Sequence, residues 1–325
     1  MIMLNLYKRI QRYFGTLRVE EILGLTYLLL VLLISLSANL YYLIYKTHVS
    51  VRVEISVLQI GFTLLLFIGF YGLLWLLPKN KIIIMTRDFS PFLIVLAIYM
   101  NLYDMIHFIN SNDIHYTLLS VDAWLFGVQP TIWIEQFYHP RLTDWFSFAY
   151  MSYYWIAPIL LASLYHRKLY SEFRLIMVTM MTAYYIGFLG YIILPAASPY
   201  VVIPELYHID IWKGTSFISK WLQAIVNLSP DRVRDAFPSM HNSITLLTVF
   251  MAWRYNRIIF WVLLPLAISL VIATVYLRYH FVADILAGFV VTIMAIYLSP
   301  KLDNWWYNWQ KRQGIDPEVE KNYGA

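Results

Sequence analysis

Eight long apolar stretches, at 22–45, 56–77, 89–110, 145–165, 175–194, 237–253, 258–277 and 281–298, constrain this chain more than any other feature. A hydrocarbon core ~30 Å thick takes about 20 helical residues to cross, and inside it each backbone N–H and C=O must be paired within the segment. The stretches therefore predict an all-α, polytopic membrane bundle of about eight transmembrane helices. A soluble fold fails on composition: 60% of the 325 residues are hydrophobic and 13% charged, more apolar surface than one globular core encloses.

An even number of spans puts both chain ends on one side, and lysine and arginine choose the side. The N-terminus, the second, fourth and sixth connections and the C-terminal tail hold 16 of the 24 basic residues, so both termini read as cytoplasmic. The opposite helix ends then open on the periplasmic, extracellular or lumenal face. Residues 1–18 carry Lys8, Arg9, Arg12 and Arg18 among Leu4, Leu6, Tyr7 and Phe14, which suits either an interfacial helix on an anionic leaflet or an ordinary basic flank. No small-residue cleavage site follows a short apolar region, so an anchor is expected and no signal peptide. The absence of cysteine excludes disulfides, thiolate metal sites and cysteine nucleophiles. A net charge of +5 reflects the cytoplasmic connections, and nothing resembles a nucleic-acid surface.

Two connections are long, 111–144 and 195–236, both on the non-cytoplasmic side. The first carries Trp124, Phe126, Trp133, Ile134 and Phe137 around Pro130, residues that anchor at the lipid–water interface. The second opens Leu194-Pro195-Ala196-Ala197-Ser198-Pro199-Tyr200, whose prolines end a helix and set a rigid turn.

Beyond these connections stand two histidine motifs, Phe237-Pro238-Ser239-Met240-His241 and Tyr276-Leu277-Arg278-Tyr279-His280-Phe281-Val282-Ala283-Asp284. Ionisable groups beside apolar helices are costly and mark function by default. His280 and Asp284 stand about one helical turn apart, so the carboxylate can hold one ring N–H of the imidazole. An imidazole oriented in that way is a nucleophile toward phosphorus. Arg278 offers a planar fork of donors for phosphate. Ser239 adds a hydroxyl, and the unpaired N–H groups at the helix start near Phe237 form an anion site. His241, protonated, can give its proton to a departing oxygen and later take one from an incoming hydroxyl or water.

Pro238-Ser239-Met240-His241 followed by His280-x3-Asp284 resembles the second and third signature motifs of the type 2 phosphatidic acid phosphatase superfamily. The closer likeness is to its inositol phosphotransferase branch, which contains fungal inositol phosphorylceramide synthase. Three stretches carry it: Asp122-x2-Leu125-Phe126-Gly127-x2-Pro130, Gly190-Tyr191 through Pro195-x3-Pro199-Tyr200, and Thr274-x-Tyr276-Leu277-x2-His280 leading to Asp284. The resemblance implies a six-helix catalytic membrane domain over 85–300, with an amphipathic segment and two added helices in 1–84 and a cytoplasmic tail in 301–325. It implies His280 as nucleophile, Asp284 as its partner, His241 as general acid and base, Ser239 and Arg278 as phosphate ligands, and no metal or other cofactor. The substrates implied are membrane lipids: a phosphorylated or phosphodiester donor, with a hydroxyl compound or water as acceptor.

The chain departs from the wider superfamily in two places. The first signature, a lysine and an arginine-proline before the serine motif, is missing, and Arg232, Arg234 and Lys213 are candidates for its cations. Thr274 stands where the third signature usually has arginine.

Each motif alone has a plainer reading: His241 as part of a helix cap, and His280 with Asp284 as a self-satisfied pair. Their joint occurrence, framed by Arg278 and the proline turn, favours catalysis. Asp104 and His107, with Asn101 on the same helix, read as a buried hydrogen-bonded pair or, less simply, as a proton relay or metal ligands. His48, His115, His139, His166 and His208 fall in connections and read as solvated, with His208 able to line the site. Water as acceptor would make the protein a lipid phosphate phosphatase, and a lipid or polyol hydroxyl would make it a head-group transferase. A transporter or scramblase is the rival from another class, against which no internal repeat stands out.

Overall fold

The computed structural model describes residues 13–45, 51–77, 80–102, 105–228 and 234–315. Lys8, Arg9, Arg12, His48, Asp104 and Arg232 lie outside the described residues, as does the side chain of His107. The architecture is all-helical, and a lone bridge between Ala196 and Asp235 is the extended pairing seen among the described residues. In chain order the main helices are α1 (Val19–Tyr45), α2 (Val51–Leu76), α3 (Lys81–Leu102), α4 (His115–Phe126), α5 (Pro140–Met151), α6 (Tyr153–His166), α7 (Tyr170–Ile193), α8 (Phe217–Leu228), α9 (Met240–Tyr255), α10 (Arg257–Tyr276) and α11 (Val282–Arg312).

Among the described residues, six helices are long and apolar enough to cross a membrane, α1, α2, α3, α7, α10 and α11, and the pair α5 and α6 makes a seventh if it counts as one span. Of the eight expected stretches, two differ from a single long helix among the described residues. The stretch at 237–253 gives α9, a helix of 16 residues, because Pro238 cannot continue a helix inward and Ser239 caps it, while Asn256 caps the next one. The stretch at 145–165 is broken rather than continuous. At Ser152 the hydroxyl donates back to the Ala149 carbonyl at 2.5 Å, a bond that competes with the helix ladder, and α5 and α6 meet at 47°.

The chain divides into two compact units, one from described residues within 1–105, 169–185 and 295–325, the other from 106–168 and 186–294. In the first unit α1, α2 and α3 pack on one another. Buried charges tie the start of α1 to α3 about two turns in: Arg18 pairs with Asp88 at 2.5 Å and Arg87 with Glu21 at 2.7 Å. Arg18, grouped by sequence with a basic flank, is thus a buried residue. Trp306 of α11 donates to the Leu17 carbonyl at 2.7 Å, and α11 runs on as helix to Arg312, into the segment expected as a tail.

In the second unit α9 and α10 pack along each other, with α5 on α10, α6 on α9 and α8 on α5. Phe146, Tyr150, Ile211, Leu222, Ala273 and Tyr276 form one buried cluster there. Segment 111–137 is ordered by α4, the short helix Pro130–Trp133 and a 3-10 turn, Ile134–Phe137. Its Trp124, Phe126, Trp133 and Phe137 are exposed.

Candidate active site

Two helix starts build the site. Ser239 Oγ caps α9 and accepts from the Asn242 side chain at 2.8 Å, which leaves its own hydroxyl hydrogen unspent in these contacts. The start of α11 is capped from elsewhere: Asp122 of α4 accepts from the N–H groups of Val282 at 2.8 Å and Ala283 at 2.9 Å. Burial pushes the Asp122 carboxyl above the ordinary carboxylate range, and the two N–H groups oppose that shift. The two starts touch where Ser239 N–H donates to the Asp284 carbonyl at 3.0 Å. Gly288 permits this approach, since a Cβ there would overlap the Ser239 carbonyl.

The turn between α10 and α11 presents His280. The Thr274 carbonyl accepts from the N–H groups of both Tyr279, at 2.9 Å, and His280, at 3.0 Å, so the residue at the superfamily's usual arginine position shapes the turn. Arg278 sits in it with φ 62°, the left-handed region that costs an ordinary residue on the order of 1 kcal/mol.

His280, Asp284 and His241 are brought together, as their motifs suggested. His280 Nδ1 lies 2.9 Å from the Ala236 carbonyl and 3.3 Å from Asp284 Oδ2. A carbonyl only accepts, so Nδ1 carries a hydrogen, and in the neutral ring Nε2 then holds the lone pair. That Nε2 lies 3.4 Å from His241 Nδ1, which must then be the donor of the contact. Asp284 Oδ2 also accepts from Phe281 N–H at 2.9 Å. Ala236 is held in turn by its N–H to the Ala196 carbonyl at 3.0 Å, which gives the proline-rich turn a place in the site.

An aromatic stack that the motifs did not announce encloses His241. Tyr150 stacks on the imidazole at 4.7 Å and on Tyr279 at 4.3 Å, and Tyr153 covers another side at 4.4 Å. These two tyrosines flank the bend at Ser152, and no local sequence pattern marks a bend that turns both toward one ring.

The expected phosphate ligands are placed unequally. Ser239 is at the heart of the site. Arg278 is 4% exposed, with Nη2 on Glu135 Oε1 at 2.5 Å and on the Ile209 carbonyl at 2.8 Å. Its guanidinium lies over the Tyr207 ring at 3.7 Å. Burial lowers its pKa, and Tyr207 and Glu135 oppose that shift. Arg234 Nε pairs with Asp113 at 2.8 Å, and the exposed Lys213 lies 3.7 Å from Asp210. His208 is exposed, and its backbone N–H donates to Glu135. Asn101 donates to the Ala97 carbonyl at 2.7 Å.

The described part of the chain is thus a polytopic helical membrane protein in which two histidines and an aspartate converge at paired helix starts. A family model described as the PAP2 superfamily matches residues 116–298, a range that holds His241, His280 and Asp284, and the chain belongs to that superfamily. Membership supports a phosphatase- or phosphotransferase-type activity on lipid phosphate substrates. No curated protein and no solved structure matches the chain.

Proposed function

We propose that the protein is an integral membrane lipid phosphotransferase working through a phosphohistidine on His280. The observation that carries this reading is the assignment of the hydrogen on His280: Nδ1–H is spent on Ala236 and Asp284, and the Nε2 lone pair faces His241 Nδ1 at 3.4 Å. Nε2 attacks phosphorus, and the bond from phosphorus to the first alcohol breaks. His241, which burial and the neighbouring His280 keep neutral in the free site, takes up a proton when the anionic phosphate is bound and gives it to the departing oxygen. The acceptor hydroxyl then returns a proton to His241 as it attacks the phosphohistidine, which restores both rings. Asp284 stabilises the charge that develops on His280.

The equatorial oxygens call for donors held in place. The Ser239 hydroxyl and the first-turn N–H groups of α9 supply them, and Arg232, Arg234 and Lys213 are the candidate cations. The preferred acceptor is a lipid or polyol hydroxyl, with a phosphoinositol-type head group transferred, because the proline-rich turn and the missing first signature resemble the inositol phosphotransferase branch. The site opens on the periplasmic, extracellular or lumenal face, with both termini cytoplasmic.

The test uses purified protein in liposomes with phosphatidic acid and phosphatidylinositol as donors, with and without ceramide or diacylglycerol, in EDTA, beside His280→Ala. Inorganic phosphate and transferred head group are followed together. Head-group transfer that vanishes in the variant supports the reading. Phosphate release alone makes the protein a lipid phosphate phosphatase, and equal turnover in the variant rejects His280 as nucleophile.

A further inference from the structure

We infer that Glu135 is a positioning residue for this chemistry: it clamps Arg278 so that the turn bearing His280 is held in register, and Arg278 serves the turn rather than the phosphate. This role rests on the phosphohistidine reading above and deepens it.

Several independent contacts converge on the clamp. Glu135, itself buried, takes Arg278 Nη2 on Oε1 at 2.5 Å and the His208 backbone N–H at 3.2 Å. Arg278 Nη2 also donates to the Ile209 carbonyl at 2.8 Å. Tyr207, beneath the guanidinium at 3.7 Å, is pinned by its hydroxyl donating to Thr131 Oγ1 at 3.1 Å. The backbone of Arg278 is tied as well, its carbonyl accepting from Tyr200 N–H at 3.2 Å. One guanidinium therefore fastens the α10–α11 turn to both long connections, 111–144 and 195–236.

The backbone explains why the turn needs fastening. Arg278 holds φ 62° without being glycine, a conformation that persists only where its surroundings over-determine it. Two residues later His280 must keep Nδ1 on the Ala236 carbonyl at 2.9 Å and on Asp284 at 3.3 Å. Relaxation of the turn moves His280 away from both acceptors. Both Nη2 hydrogens are committed, one to a carboxylate and one to a carbonyl, and either two-point fork onto a phosphate needs one of them, while Nε stays buried without a hydrogen-bond partner among the described residues.

The experiment compares the unsubstituted protein with Glu135→Gln, Glu135→Asp, Arg278→Gln, the Glu135→Gln/Arg278→Gln double variant and His280→Ala, in liposomes with phosphatidic acid or phosphatidylinositol. It reads kcat, KM, inhibition by inorganic phosphate and thermal midpoint. Glu135→Gln should lower kcat about 10–100-fold, the scale of a small misplacement of a reacting group, with KM and phosphate inhibition unmoved. Glu135→Asp should recover part of the loss, and the double variant should be no worse than Arg278→Gln, since the two act as one unit. A lowered thermal midpoint with unchanged kcat would make the pair merely structural and overturn the inference. So would a raised KM and weakened phosphate inhibition in Arg278→Gln while Glu135→Gln turns over normally, because Arg278 would then touch the phosphate. If Glu135→Gln does not fold, Glu135→Asp carries the same comparison. In each of these cases an inactive His280→Ala leaves the phosphohistidine reading standing. Equal turnover in His280→Ala, or none in the unsubstituted protein on either donor, removes that reading and this inference with it.

Discussion

His280 Nδ1 has two acceptors at unequal distances, and the inequality separates their contributions. The Ala236 carbonyl, at 2.9 Å, is nearer than Asp284 Oδ2, at 3.3 Å. The carbonyl belongs to the backbone and survives any side-chain change. Asp284→Asn should therefore keep the tautomer and lose only the carboxylate's charge, lowering turnover by less than the roughly 10⁴-fold that follows where the amide also imposes the wrong tautomer. His280→Ala should lose the phosphoenzyme altogether. Rapid-quench trapping of phosphohistidine in both variants checks this, and equal loss in the two would show that the carbonyl does not hold the ring. At this scale the two histidines and Asp284 could be read from their spacing. Ala236, Tyr150 and Glu135 could not: a backbone carbonyl leaves no trace in residue type, and the other two reach the site from segments distant in sequence.

The helices meet through particular glycines, and their environments differ enough to predict opposite outcomes for one substitution. At Gly288 of α11 an added Cβ would overlap the backbone carbonyl of Ser239, which cannot yield without shifting the start of α9. Gly288→Ala should destabilise by about 1–3 kcal/mol, as overpacking does, and should lower turnover. At Gly69 of α2 an added Cβ would meet nothing within 4 Å, so Gly69→Ala should be neutral or should stabilise by about 0.5–1 kcal/mol through helix propensity. Thermal midpoints of the two variants in one detergent decide the comparison. The bend between α5 and α6 belongs to this scale too. Hydrophobic runs report length and apolar character, and a serine hydroxyl turned back onto a carbonyl changes neither, so the stretch at 145–165 reads as one uninterrupted span until the fold is seen.

Buried charge governs the first compact unit. Arg18 and Asp88 are 6% and 4% exposed in their side chains. Arg18→Met strips Asp88 of this guanidinium and should cost about 3–5 kcal/mol, the usual penalty for breaking a buried pair. Arg18→Met/Asp88→Leu should recover most of it, because the carboxylate no longer needs a partner. Urea or thermal unfolding of both forms checks the recovery, and a double variant as unstable as the single one would contradict it. The proposed orientation can be tested directly, since the chain has no native cysteine. A cysteine at Glu205 should react with a membrane-impermeant thiol reagent applied to the non-cytoplasmic face, and one at Gln313 only with reagent applied to the cytoplasmic face. The reverse pattern would invert the topology.

Apolar stretch length and composition were enough to foretell an all-helical membrane protein, because a bilayer demands about 20 apolar residues per crossing whatever the neighbours are. The pairing of His280 with Asp284 was also readable from their spacing, although His280 precedes α11 rather than sharing a helical turn with Asp284. Which acid holds Arg278 and which rings flank His241 depended on segments up to 143 residues apart coming into contact. Such contacts are set by packing and by the pairing of buried polar groups, and no local pattern in a single chain carries them.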